Sequence, residues 1–140
     1  MSAGYSGTPL PQKLGIKAGH LLAVLEAPAQ FADLLVPMPD NVTVVGGLPD
    51  QRLCDVIVLF ATAQTGLVER FLAAAARLQP NGGLWVAWPK KASGVATDVT
   101  ENAIRDMALA VGLVDNKVCA IDATWSGLRC VYRVKDRPKV

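Results

Sequence analysis

Two polar segments of the chain carry side chains suited to binding a small anion. One reads Trp-Pro-Lys-Lys-Ala-Ser-Gly over residues 88–94, and the other reads Ala-Thr-Trp-Ser-Gly over residues 123–127. Lysine attracts phosphate or carboxylate, serine and glycine supply hydrogen-bond donors, and tryptophan stacks on a planar ring. The alternative is that the lysines are solvated and the tryptophan caps the core. We predict a ligand site formed by Lys90, Lys91, Ser93, Gly94, Thr124, Trp125 and Ser126.

Residue types that commonly carry catalysis are sparse. His20 is the only histidine, so no histidine-based metal cluster is expected. The chain has neither a Gly-x-Ser-x-Gly elbow nor a phosphate-binding P-loop. Cys54, Cys119 and Cys130 show no Cys-x-x-Cys spacing and are predicted to be buried free thiols. The sequence therefore indicates no metal, no cofactor and no identifiable catalytic residue.

Short apolar runs and amphipathic segments must position the polar residues. The predicted strands span residues 21–25, 42–45, 55–60, 84–88, 117–122 and 128–134. The helix after the third strand is predicted to bury Leu67, Val68, Phe71, Leu72, Ala75 and Leu78. Residues 80–83, Pro-Asn-Gly-Gly, are predicted to end it, and a capping box of Asp98 and Glu101 to begin the next helix. Shorter helices are predicted after an N-cap at Thr8 and over residues 28–36.

The order of these elements predicts an α/β fold. Residues 55–91 form a strand–helix–strand unit, and such units build parallel sheets that bind ligands at the carboxyl ends of their strands. Both polar segments then lie at one sheet edge, and the short link between the last two strands makes that pair an antiparallel hairpin. We predict a three-layer, mostly parallel sheet of about six strands. Residues 1–20 would form an N-terminal strap with a short helix, residues 21–134 the domain, and residues 135–140 a flexible tail.

The second half of the chain resembles a known fold family. A helix ending in Leu-x-Pro-x-Gly-Gly before a strand, followed by a final hairpin, is similar to the later half of Rossmann-like class I methyltransferase domains. The resemblance implies a strand order of 2-1-3-4-6-5. However, the turn after the first strand reads Glu26-Ala27-Pro28-Ala29 without glycine, and Gly46-Gly47 stand where an acidic residue would hold a ribose. Binding of NAD or S-adenosylmethionine is therefore disfavoured.

Composition limits the possible partners. A chain of 140 residues that is 51% hydrophobic fits one domain with a single core, and the apolar excess fits a possible homo-oligomer. The net charge of +2 gives no argument for nucleic-acid binding. We see no signal peptide and no apolar run of membrane-spanning length, so we expect a cytoplasmic protein.

Four segments together resemble one small bacterial family known only as a domain of unknown function. They span residues 4–16, 88–94, 112–120 and 125–128, and they include Trp-Pro-Lys-Lys and Trp-Ser-Gly-Leu. The resemblance implies a small stand-alone cytoplasmic bacterial protein. It implies no activity, so no catalytic residue is transferred from it.

Three functions therefore stay open. The leading hypothesis is a binding module that holds a small anionic ligand or a partner protein at the carboxyl edge of its sheet. The second is an S-adenosylmethionine-dependent methyltransferase with an altered cofactor loop, since methyl transfer to a nucleophilic acceptor depends mainly on positioning. The third is a structural or regulatory subunit whose apolar surface covers an interface.

Overall fold

The structure is a computed structural model that describes residues 7–137. The strands are β1 Leu21–Leu25, β2 Thr43–Val45, β3 Cys54–Phe60, β4 Leu78–Pro89, β5 Leu113–Ala120 and β6 Trp125–Tyr132. The α-helices are α1 Leu10–Lys13, α2 Leu67–Ala75 and α3 Glu101–Ala110. Short 3₁₀ helices span Ala29–Leu34, Lys91–Ser93 and Val134–Asp136. Predictions for residues 1–6 of the strap and 138–140 of the tail lie outside the described part.

All six strands form one sheet in the order β2-β1-β3-β4-β6-β5. The first four strands are parallel to one another, whereas β6 is antiparallel to both β4 and β5. The predicted fold class, strand order and terminal hairpin are therefore confirmed. No helix within residues 7–137 is long and apolar enough to cross a membrane.

The two faces of the sheet are covered by different segments. Phe71 of α2 and Ile104 of α3 pack on one face. On the other face, Leu14 and Phe31, from the segments around α1 and the first 3₁₀ helix, pack with Trp85 of β4. Trp85 is fully buried, and its indole N–H donates to the carbonyl oxygen of Leu14 at 3.0 Å. This bond satisfies a buried polar group and holds the N-terminal segment on the sheet.

The Pro-Asn-Gly-Gly segment was wrongly predicted to end the helix and to precede the fourth strand. Strand β4 begins at Leu78 and runs through residues 80–83. A Cβ atom on Gly82 would lie 2.8 Å from the carbonyl oxygen of Asp55, and one on Gly83 would overlap the guanidinium of Arg129. These glycines therefore permit close approach within the sheet and do not reverse the chain.

The buried face of α2 also differs from the prediction. Leu67, Phe71, Ala74 and Ala75 are its buried residues. Val68 and Leu72 are instead 48% and 47% exposed. The helix is only nine residues long, and the stripe at 67, 71, 74 and 75 already fills the space above the sheet. The predicted sixth member of the face, Leu78, belongs to β4.

Several predicted boundaries need correction. The N-cap of α3 is Thr100, whose hydroxyl accepts from the Ala103 N–H at 3.1 Å, whereas Asp98 accepts from the backbone of Gln64. Helix α1 is capped by Pro9 rather than by Thr8. The segment after β1 forms a 3₁₀ helix, and the last two strands begin at Leu113 and Trp125. The hairpin loop is consequently shorter than predicted.

Candidate functional site

The two polar segments predicted from the sequence meet at the carboxyl edge of the sheet. Pro89 of β4 pairs with Trp125 of β6, which brings the loop after β4 beside the terminal hairpin. The backbone N–H of Lys90 donates to the carbonyl oxygen of Thr124 at 2.8 Å. Ser126 lies within β6, opposite Trp88 and Ala120. The expected convergence of these residues is present.

Several of the predicted site residues form hydrogen bonds within or between the two loops. The Lys90 ammonium donates to the carbonyl oxygen of Asp122 at 2.9 Å, and the carboxylate of Asp122 accepts from the backbone of Thr124 and Trp125. The Ser93 hydroxyl donates to the carbonyl oxygen of Lys90 at 2.6 Å. Gly94 ends that turn with a φ of 77°, and Lys91 is exposed. Of the seven predicted residues, Trp125 is the one that walls the cavity beside it.

This cavity has a volume of about 220 Å³ and an aromatic wall. The Trp125 ring meets Phe60 edge-on, with ring centroids 5.1 Å apart, and Phe60 meets Phe31 in the same way at 4.9 Å. The chained contacts fix the orientation of the Trp125 ring. The cavity is lined by Glu26, Phe60, Ala61, Thr62, Ala63, Arg70 and Trp125.

Two charged residues that the sequence analysis did not select line this cavity. Arg70 lies in α2, and its Nε donates to the carbonyl oxygen of Gly66 at 3.4 Å. Glu26 directly follows β1 and has a φ of 59°, a conformation that is uncommon outside glycine. Neither side chain forms an ion pair with another residue of the described part of the chain. Both charged groups are therefore open to solvent and accessible to a ligand.

A second cavity of about 260 Å³ adjoins the first. It shares Glu26 and Arg70 with the first and is otherwise apolar, lined by Leu25, Leu48, Leu59 and Ala73. The two cavities lie at the carboxyl ends of β1 and β3, where open α/β sheets bind ligands. Arg70 could have been selected from the sequence, because it lies on the first turn of the helix that follows β3 and that turn is near the carboxyl edge.

The cysteines do not contribute to this edge. Cys54, Cys119 and Cys130 are buried free thiols, as predicted. Burial raises the pKa of each thiol, that of Cys130 to about 12. Within residues 7–137, no three His, Cys, Asp or Glu side chains are grouped to hold a metal ion.

Comparison with known sequences gives a family match. The sequence model of a family described as "Protein of unknown function (DUF3052)" matches residues 47–134. The segments near the N-terminus that supported the predicted family resemblance lie outside this match. A comparison with curated proteins finds no significant match.

Comparison with solved structures finds similarity to methyltransferases. A SAM-dependent methyltransferase from Aquifex aeolicus superimposes with a TM-score of 0.60 at 13% identity, covering 91% of this chain and 89% of that one. A SAM-dependent methyltransferase from Thiobacillus denitrificans, solved with S-adenosyl-L-homocysteine, gives 0.58 at 10% identity and 89% of each chain. The N-methyltransferase NodS from Bradyrhizobium japonicum gives 0.56 at 15% identity, covering 81% and 85%. At such identities the likeness establishes the fold alone.

Proposed function

The chain belongs to the DUF3052 family of proteins of unknown function, and we propose that it is a methyltransferase-like binding module for a small ligand that carries an anionic group and a planar ring. The site is the pair of adjoining cavities at the carboxyl edge. The observation that carries the proposal is that Arg70 and the Trp125 ring line the same cavity. The two side chains are not paired with each other, so both can contact a ligand.

Arg70 is the anchor for the anionic group. A guanidinium presents a planar fork of donors that matches phosphate or carboxylate oxygens, and in this structure only its Nε makes a hydrogen bond to a described residue. Helix α2 begins at this edge, so its positive end adds to the attraction. Lys90 stabilises the loop through Asp122, and the exposed Lys91 contributes positive potential at longer range.

The partly exposed Trp125 ring supplies a surface for a planar ring, and the buried Phe60 ring holds it in place. Stacking of a base on an aromatic side chain contributes roughly 1–3 kcal/mol. The apolar neighbouring cavity accommodates a further part of the ligand, because it is bounded by Leu25, Leu48 and Leu59. Neither cavity is lined by a histidine or a cysteine. The side chains that line the two cavities therefore support ligand binding better than covalent catalysis.

A second candidate function is S-adenosylmethionine-dependent methyl transfer with an altered cofactor loop. It is favoured by one observation: the residue after β1 adopts a positive φ at the place where methyltransferases of this fold carry glycine, although here the residue is Glu26. The carboxylate of Glu26 would face the ammonium group of the methyl donor. Pro28 weighs against this function, because it removes a backbone donor from the loop.

A thermal-shift screen tests both functions. The compounds are adenine nucleotides, phosphorylated metabolites, S-adenosylmethionine and S-adenosylhomocysteine. A ligand at about one hundred times its dissociation constant adds roughly 2.7 kcal/mol, which raises the unfolding midpoint by several degrees. We expect nucleotides to shift the wild type and to lose the shift in Arg70→Met and Trp125→Leu. The matched control is Arg52→Met, which removes an exposed arginine just before β3, at the opposite edge.

The outcomes separate the alternatives. A shift by S-adenosylmethionine alone would favour the methyltransferase function over the binding module. A nucleotide shift that persists in Arg70→Met would contradict the proposed anchor. No shift with any compound would contradict small-molecule binding and leave a partner protein as the ligand of this edge.

A further inference from the structure

A third cavity lies at the opposite, amino edge of the sheet and contains a half-buried arginine. Its volume is about 230 Å³, and it is lined by Gly15, Lys17, His20, Asp55, Val56, Asn81, Gly82 and Arg129. Arg129 projects from β6 and lies across the backbone of Gly83 in β4. Arg129 is half-buried, and this partial burial lowers the pKa of its guanidinium from the ordinary value.

The charge of Arg129 is not neutralised by the residues around it. Within residues 7–137, no carboxylate lies within ion-pair distance of the Arg129 guanidinium, and its side chain forms no hydrogen bond to another residue. Asp55 is the acidic residue of the cavity, and one of its oxygens accepts from the backbone of Leu21 at 2.8 Å. The guanidinium nitrogens are not sealed from solvent, so Arg129 is available to an anion that enters the cavity.

Two groups of the lining and one on a neighbouring strand favour the binding of an anion. Lys17 lines it with a second full positive charge. The Nδ1 atom of His20 accepts from the Lys17 backbone N–H at 3.1 Å, which leaves Nε2–H as a donor. Lys117 pairs with Arg129 across the β5–β6 ladder and adds to the positive potential from the neighbouring strand. The positive charges of the cavity therefore outnumber the single carboxylate of Asp55.

We propose that this amino-edge cavity binds a phosphate group, with Arg129, Lys17 and His20 as its donors. The site is separate from the carboxyl edge and does not depend on the function proposed there. Since the cavity is larger than a phosphate ion, a small phosphate monoester fits as well as free phosphate. Gly83 does not line the cavity, but any side chain there would displace the Arg129 guanidinium.

The test is calorimetric titration of the folded protein with inorganic phosphate and, separately, with glycerol 3-phosphate, at low ionic strength. We expect binding to the wild type that weakens by about tenfold or more in Arg129→Met, as the loss of a charge-assisted contact implies. Tighter binding of glycerol 3-phosphate would identify a phosphorylated metabolite as the ligand; tighter binding of phosphate would identify the free ion.

Two further variants test whether the position of the guanidinium, rather than net charge alone, determines phosphate binding. Gly83→Ala keeps every charge but displaces the guanidinium, so it should weaken phosphate binding as Arg129→Met does. Lys135→Met removes one exposed charge outside the cavity lining and should leave binding unchanged. The proposal is overturned if the wild type does not bind either compound, if Arg129→Met binds as the wild type does, or if Lys135→Met weakens binding equally.

Discussion

The adjacent glycines of β4 give a sharp test of how β3, β4 and β6 pack. In Gly82→Ala, the new Cβ would lie 2.8 Å from the carbonyl oxygen of Asp55, 2.9 Å from a methyl carbon of Leu78 and 3.2 Å from the carbonyl oxygen of Cys54. Two of these atoms are backbone, so strands β3 and β4 must separate. Such overpacking costs roughly 1–3 kcal/mol. Restriction of the unfolded chain by alanine returns roughly 0.4–1 kcal/mol.

We therefore expect Gly82→Ala to lower the free energy of unfolding by roughly 1–2 kcal/mol, or the thermal midpoint by several degrees. Gly83→Ala is the matched control. Its Cβ meets only the side chain of Arg129, which is able to turn away, so its loss of stability should be smaller. Urea unfolding followed by tryptophan fluorescence measures both. A Gly82→Ala variant as stable as the wild type, or a larger loss in Gly83→Ala, would refute the packing described for β4.

Two other predictions concern the core. Trp85→Phe removes the indole donor to the Leu14 carbonyl oxygen and leaves a small void. The free energy of unfolding, measured by urea unfolding, should therefore fall by about 2–3 kcal/mol. An unchanged value would show that this bond does not anchor the N-terminal segment. Cys130 has a folded pKa raised to about 12 by burial, and a thiol exposed by unfolding ionises near pH 9. The unfolded state then binds fewer protons, so stability should fall as the pH rises from 9 towards 12. Urea unfolding at pH 8 and 10.5 should show a smaller decline in Cys130→Ala than in the wild type, and equal declines would contradict the assigned pKa.

The architecture was predictable because its signals are local and repeated. The apolar runs that became β1 and β3 are β-branched and leucine-rich, of strand length, and separated by helix-length segments. The resemblance to methyltransferases implied that β6 lies between β4 and β5, and the observed strand order confirms this. Handedness and short connections leave few other arrangements for such a chain.

Glycine was the main source of error in the fold. Gly82 and Gly83 follow proline and asparagine, which is typical of a turn. Their actual role depends on atoms of Asp55 and Arg129 that are distant in the sequence. A single sequence contains no sign of such a contact, so the segment was assigned to the wrong element.

The candidate site was predictable in position but not in composition. The carboxyl edge followed from the parallel strands, and Trp125 followed from the hairpin. Lys90 was selected as a ligand residue because it is charged, yet its ammonium group is hydrogen bonded to Asp122. Arg70 and Glu26 were missed because a helix surface and a turn place them beside Trp125 only in three dimensions.

The most direct test of the ligand site is an NMR titration of the tryptophan indole N–H signals with adenosine 5′-monophosphate, which combines a planar ring with an anionic group. Trp85 serves as an internal control, because its indole is fully buried, is hydrogen bonded to the Leu14 carbonyl oxygen and does not line the cavity. We predict that the nucleotide moves the Trp125 signal and leaves that of Trp85 in place, and that Arg70→Met weakens the effect. A Trp125 signal that does not move at millimolar nucleotide, or a shift confined to Trp85, would contradict the proposed site.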